Sequence, residues 1–357
     1  MRILVISTPI GRLGSGRGGG VELTLTSLVA GLLQRGHHLT VLAGEGSRLA
    51  PACAAAELWT CPGVDQPSWQ HQGRRAAVTI PADGLLPKLW RRALAEQHRF
   101  DGLLNLAYDW LPLWLTPHCQ VPLFHLVSMG SVADPIDAAI TEVAHWNQGR
   151  LAFHSRAQAA DFDLPQPPLV VGNGFDLGAY HFCADPEPLL GWVGRIAPEK
   201  GLEDAAAVAA RLGQRLAIWG LVEDPAYAAA VQASVPAGCL DWRGFLPTAE
   251  LQAQLGRCQV LINTPKWNEA YGNVVVEAMA CGVPVVAYRR GGPGELVEPW
   301  VNGLLVPADD VDALAAAVLE SASLERRRCR QWAETHASRE AFAGRIERWL
   351  MAELAGR

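Results

Sequence analysis

Two glutamates eight positions apart, Glu269 and Glu277, bracket the run Ala270-Tyr271-Gly272-Asn273-Val274. From Val274 to Cys281 every residue except Glu277 is apolar, and Gly282 and Pro284 follow. The spacing predicts a helix that starts at an Asn273 cap and closes at Gly282. Glu277 then sits about one turn inside the helix, with Glu269 on the loop before it. Backbone N–H groups at a helix N-terminus attract phosphate, and carboxylates accept the paired hydroxyls of a sugar or ribose. This combination suits a nucleotide-sugar better than a metal or a peptide.

Two further stretches could hold phosphate. Gly194-Arg195 follows a strand and Lys200-Gly201 precedes a helix, so two cations fold around one short loop and can neutralise a diphosphate. Gly14-Ser15-Gly16-Arg17-Gly18-Gly19-Gly20 lies between the first strand and the first helix. Gly14, Gly16 and Gly19 satisfy a dinucleotide fingerprint, with Glu45 after the second strand as the ribose acid, so a nicotinamide-dependent oxidoreductase is an alternative. That fingerprint turns directly off its strand, however, and here the strand stops near Ser7. The loop reads better as a lid over phosphate. Other chemistries lack their constellations. Asp310 of the Asp310/Asp312 pair reads as a helix cap, Asp161/Asp163 as surface, and His37, His38 and His154 have no partner at metal-ligand spacing. No Gly-x-Ser-x-Gly follows a strand.

These residues need a scaffold of alternating strands and helices, and the pattern supplies one. Strands are expected at Ile3–Ser7, Leu39–Ala43, Gly102–Leu106, Leu123–Val127 and Leu169–Val171, with a helix over Val21–Arg35. The pattern restarts after Asp185-Pro186-Glu187-Pro188, a proline-punctuated linker, with strands at Leu189–Val193, Leu216–Trp219, Val260–Asn263 and Val283–Ala287. Helices are expected over Gly201–Leu212, Asp312–Ser321 and Arg339–Leu354. The chain is therefore α/β with two domains, 1–184 and 185–337, facing a central cleft where ligands favour the carboxyl edges of strands.

Composition narrows the classes. At 357 residues, half apolar and 18% charged, the chain is globular. Its net charge of −6, with no basic excess in either half, argues against nucleic acid. Eight scattered cysteines without a Cys-x-x-Cys pair indicate thiols of a reducing cytoplasm. No uninterrupted apolar span reaches transmembrane length, and Pro9 and Gly11 follow the first apolar run too soon for a signal peptide.

Gly19-Gly20-Val21-Glu22, Asn173-Gly174-Phe175-Asp176, Gly194-Arg195 with Lys200-Gly201, and Glu269 through Glu277 resemble the retaining glycosyltransferases of family 4, in the right order along the chain. The resemblance implies the GT-B fold, two Rossmann-like domains with a last helix (about 338–357) crossing back to the first. It implies that Gly19, Gly20 and Gly194 approach the donor diphosphate, that Arg195 and Lys200 neutralise it, and that Glu269 receives the sugar hydroxyls beside the Ala270–Asn273 backbone and Val274. Glu277 would hold the ribose and Phe245-Leu246 border the uracil. No metal and no cofactor beyond the UDP-sugar is implied. Where many relatives carry a His at the end of the strand matching Leu123–Val127, this chain has Ser128, and His125 falls inside the strand.

Leu13–Leu25, Tyr108–Pro112, Ser128–Ser131 and Gly191–Ala205 are similar, more narrowly, to the branch that glucosylates tetrahydrobiopterin from UDP-glucose. The small-molecule acceptor would then meet Tyr108, Asp109, Trp110 and Ser128, with a flat pterin stacked on the rings and its N–H groups on Asp109. The alternative is a family 4 transferase acting on another acceptor, such as a lipid or polysaccharide precursor.

Overall fold

The computed structural model describes residues 1–15 and 19–355. The chain forms two compact units, one of Met1–Phe175 with the segment from Arg339 onward, the other of Asp176–Ser338. The division falls ahead of Asp185–Pro188, which lies inside the second unit and leads directly into a strand.

In the first unit, β1 (Arg2–Ile6), β2 (His38–Gly44), β3 (Glu57–Cys61), β4 (Gly102–Asn105), β5 (Leu123–Leu126) and β6 (Leu151–Ala152) form one sheet, ordered β3-β2-β1-β4-β5-β6. All its pairings are parallel. β1, β4 and β5 are short apolar runs because helices cover both faces, leaving no wet side to impose alternation. In the second unit, β7 (Leu189–Val193), β8 (Arg215–Trp219), β9 (Leu240–Gly244), β10 (Val260–Asn263), β11 (Val285–Tyr288) and β12 (Gly303–Val306) are ordered β12-β11-β10-β7-β8-β9, again in parallel. Numbered within its own unit, each sheet runs 3-2-1-4-5-6, the doubly wound order. Its switch point, between β1 and β4 or between β7 and β10, opens a crevice at the carboxyl edge.

The first helix, Gly19–Gln34, is met by the last, Arg339–Ala355. Phe342, Ile346, Trp349 and Leu350 share a buried core with Leu25, Leu28, Val29 and Leu32. The approach is close: a Cβ at Gly31 would lie 2.6 Å from that of Ala343. Glu347 accepts from His37 Nε2 at 2.7 Å and pairs with Arg35.

Four strands carried no expectation: β3, β6, β9 and β12. Leu169–Val171 makes a single bridge, Val170 to Phe153, in place of a strand. Gly16, Arg17 and Gly18 of the glycine loop lie outside the described residues, while Gly19 and Gly20 begin the first helix. None of the described helices is long and apolar enough to cross a membrane.

Candidate active site

The carboxyl edge of β7 and β10 gathers the charges singled out in the second unit. The loop after β7 runs Gly194–Gly201, and the loop after β10 runs Thr264–Gly272. Glycines let them touch. Gly201 is left-handed (φ 65°), and a Cβ there would sit 2.0 Å from the carbonyl oxygen of Thr264. Thr264 Oγ1 donates to Gly201 O at 2.7 Å, and Lys266 N to Glu199 O at 2.9 Å. Gly194 packs over the Trp192 ring, where a Cβ would come within 3.0 Å.

Lys200 Nζ is hydrogen-bonded to Glu269 Oε2, and that oxygen also accepts from Trp267 Nε1 at 3.0 Å. The ammonium lies 4.9 Å from the centre of the Trp267 ring. Burial opposes ionisation of Glu269, but the Lys200 ammonium, the indole N–H and Arg195 outweigh it and hold the carboxyl below its ordinary range. Arg195 pairs with Glu223 and, at 2.8 Å, with Glu199. A diphosphate at these cations would share them with carboxylates, so charge is balanced locally before any anion arrives.

The 269–272 turn is held from behind by the loop after β11. Gly292 N donates to Glu269 O at 2.7 Å, and a Cβ at left-handed Gly291 (φ 63°) would lie 2.5 Å from both N and O of Glu269. The segment before Glu269 is pinned from the side. Asp309, a non-glycine residue at φ 66°, accepts from Lys266 Nζ at 3.0 Å and from Arg290 Nη1 at 3.2 Å, and Arg290 Nη1 also donates to Pro265 O at 2.8 Å. Those two cations hold the Asp309 carboxyl down to about 2.

The helix after this turn spans Asn273–Ala280. Gly272, left-handed at φ 95°, takes the cap position assigned above to Asn273, which is instead the first helical residue. The turn is too sharp for a residue with a Cβ, which would meet Pro293 at 2.9 Å. Ala270, Tyr271 and Val274 flank it, with Tyr271 buried. Glu277 lies one turn in and accepts from Tyr180 Oη at 3.1 Å. Burial raises its pKa above the ordinary carboxylate range, with the Tyr180 bond acting in the opposite sense. Phe245 and Leu246 follow β9 at the same edge of the sheet, with Phe245 exposed.

In the first unit, Tyr108, Asp109 and Ser128 line one cavity at the carboxyl ends of β1, β4 and β5, together with Pro9, Gln66 and Trp69. Trp110 is not on its wall and stacks instead on Trp114, centroids 5.7 Å apart. Tyr108 is more committed than the expectation of a stacking ring requires: its hydroxyl donates to Asp137 Oδ1 at 2.9 Å. Asp109 is buried, caps the helix Trp110–Leu115 and accepts from Trp69 Nε1 at 3.1 Å. Burial raises its pKa, and those hydrogen bonds pull it back down. His125 is a strand residue, buried between Asn105 Nδ2 (3.1 Å) and Thr116 Oγ1 (2.7 Å). Thr116 Oγ1 donates to Leu113 O, so the imidazole is a neutral Nε2–H tautomer. Burial pushes its pKa down to about 3. Among the described residues no group of three or more His, Cys, Asp or Glu is placed to hold a metal ion.

The sequence reading placed Trp267 and Glu199 inside these motifs without a role, and left out Glu223 and Gly291-Gly292 in this edge and Gln66 and Trp69 in the first unit. Gly291-Gly292-Pro293 just after a strand was a legible signal. Gln66 and Trp69 lie in a stretch without periodicity and carried none.

The chain is thus an α/β protein of two doubly wound units, the second with cations and carboxylates gathered at its switch point. Residues 181–339 match the family Glycosyl transferases group 1. The GDP-mannose-dependent alpha-mannosyltransferase of Mycolicibacterium smegmatis is 38% identical over 144 residues, 40% of this chain and 37% of that protein. The 2-deoxystreptamine N-acetyl-D-glucosaminyltransferase of Streptomyces fradiae is 36% identical over 191 residues, 51% of this chain and 42% of that protein. The chain thus spans about two fifths of the length of these curated relatives. In fold it is similar to sucrose-phosphate synthase from Thermosynechococcus elongatus (TM-score 0.77, 19% identity, all of both chains). It is likewise similar to Anabaena HepE solved with UDP (TM-score 0.72, 18% identity, 99% of this chain and 100% of that one). The fold is the two-Rossmann-domain GT-B type.

Proposed function

We propose that the protein is a retaining glycosyltransferase that moves a hexosyl group from a nucleoside-diphosphate sugar to a hydroxyl of a small planar acceptor. The observation that carries this reading is the edge of β7 and β10, where Arg195 and Lys200 lie beside Glu269 and the N-terminus of the helix Asn273–Ala280. The cations and helix amides stabilise charge on the departing diphosphate, and Glu269 orients the sugar by its hydroxyls. The acceptor oxygen attacks C1 as the C1–O bond to the diphosphate breaks. A leaving-group oxygen then takes the acceptor proton on the same face, which retains configuration.

UDP-glucose is the proposed donor and tetrahydrobiopterin the proposed acceptor. The resemblance of the Leu13–Leu25 and Tyr108–Pro112 segments supports both. Glu277, one turn inside the helix, suits a ribose diol, which is common to UDP- and GDP-sugars.

The test is purified protein with UDP-glucose or GDP-mannose, tetrahydrobiopterin and EDTA, followed by nucleotide release and product mass. A pterin heavier by one hexose, formed from UDP-glucose in EDTA, is the expected result. Transfer from GDP-mannose alone replaces the donor. Absence of nucleotide release with every sugar nucleotide and acceptor, under conditions where NADH binds, overturns the transferase reading.

A further inference from the structure

The segment between β3 and the helix Leu85–Glu96 is long for a connection and contains a single short helical turn, Trp69–His71. Loops of this length inside a compact unit generally serve a function. This one is strapped across the carboxyl edge of the first sheet. Gln66 N donates to Pro9 O at 3.1 Å, and Trp69 Nε1 to Asp109 Oδ2 at 3.1 Å. Arg74 donates to Ser131 O (3.1 Å), Ser131 Oγ (2.6 Å) and Asp137 Oδ2 (3.2 Å), and pairs with Asp134 at 2.7 Å. The strap is therefore anchored to the loops that follow β1, β4 and β5.

Beneath it lie two cavities that share the walls Gln66, Pro67, Trp69 and Asp109. The side-chain oxygen of Gln66 is buried there and meets no donor. A buried acceptor without a donor is uncommon enough in native folds to require a reason. Asp109, on the same walls, has Oδ2 on Trp69 Nε1 and Oδ1 at a long 3.5 Å from Leu111 N, with the Trp110 amide as a further donor. A carboxylate can accept several bonds, so spare acceptor capacity sits on both residues. Two acceptors on the shared wall of these cavities disfavour phosphate and carboxylate groups and call for N–H donors.

We propose that Gln66 and Asp109 together read the donor edge of the acceptor substrate, a flat heterocycle with adjacent N–H and NH2 groups that lies against Trp69. The 2-amino-4-oxopyrimidine edge of a pterin has this pattern. The proposal rests on the transferase reading only in calling this ligand the acceptor. Binding to the wall tests it separately.

Titration calorimetry of the full chain uses pterin, lumazine (whose 2-amino donor is replaced by a carbonyl) and UDP-glucose as probes. Wild type is expected to bind pterin at least ~10-fold more tightly than lumazine. Gln66→Leu loses that preference and weakens pterin at least ~10-fold, with UDP-glucose binding and melting temperature unchanged. Gln66→Glu retains an acceptor oxygen and keeps pterin affinity; a merely structural glutamine would make this buried charge the worse variant. Equal binding of pterin and lumazine overturns the proposal, as does wild-type affinity in Gln66→Leu or no pterin binding at all. If Gln66→Leu fails to fold, Gln66→Met carries the same comparison. Pterin binding without binding of any sugar nucleotide keeps the role of Gln66 and removes the transferase reading; UDP-glucose binding without pterin does the reverse.

Discussion

Lys200 and Glu269 are each other's partners, so altering either removes the other's ion-pair partner. Lys200→Ala removes a preorganised cation from the diphosphate side and is expected to lower kcat at least ~100-fold, roughly 3–4 kcal/mol at the barrier, in steady-state assays. The Glu269 carboxyl, held below its ordinary range chiefly by that ammonium against burial, should rise in the same variant. Its stabilising contribution is present above the ordinary carboxylate pKa and lost as pH falls through the folded value, so removing Lys200 weakens the fold mainly at neutral pH. Glu277 has the opposite sign. Its pKa is raised by burial, so the fold is favoured below the ordinary value of about 4.3 and that stability is lost as pH rises through the raised one. Glu277→Gln removes this loss and can still accept from Tyr180. At pH 7 its melting temperature should equal or exceed wild type, while UDP-glucose affinity measured by calorimetry falls at least ~10-fold.

The loops at the sheet edge depend on glycines that no other residue replaces. Gly291 combines a left-handed backbone with contact against Glu269 N and O. Gly291→Ala is therefore expected to displace the 269–272 turn: activity should fall by more than tenfold, with about 1–3 kcal/mol of stability lost to backbone strain. Chemical denaturation and kinetics on the same preparation check both. Gly36, also left-handed but with open space around its Cβ position, is the control. Alanine there strains the backbone but touches nothing, and kinetics should stay at wild-type values.

Each unit has its own hydrophobic core, and the last helix belongs to the first. Trp349 is buried in that core with Leu350 and meets the Phe124 ring edge-on, centroids 5.4 Å apart. Trp349→Ala should cost about 3–5 kcal/mol and lower one calorimetric unfolding transition, leaving a second, from the unit containing Glu269 and Glu277, in place. A single transition shifted as a whole would show instead that the units unfold together.

The sequence by itself determined the α/β class, the core strands β1, β4, β5, β7 and β10, and the placement of Arg195, Lys200, Glu269 and Glu277 on loops and a helix start. Buried strands are continuous apolar runs and helices carry a 3.6-residue stripe, both written locally. The strands without an expectation, such as β9 (Leu-Asp-Trp-Arg-Gly) and β3 (Glu-Leu-Trp-Thr-Cys), lie at sheet edges where polar residues break that run. Asn273 looked like a cap because its type favours one, yet packing of the turn against Pro293 gave the position to Gly272. Only the tertiary structure decided that Lys200 faces Glu269, that Gly291 and Gly292 hold the turn, and that Gln66 and Trp69 reach Asp109. These are contacts between loops far apart in the chain, and side chains on aperiodic loops are placed by what the sheets bring together, which no local pattern encodes.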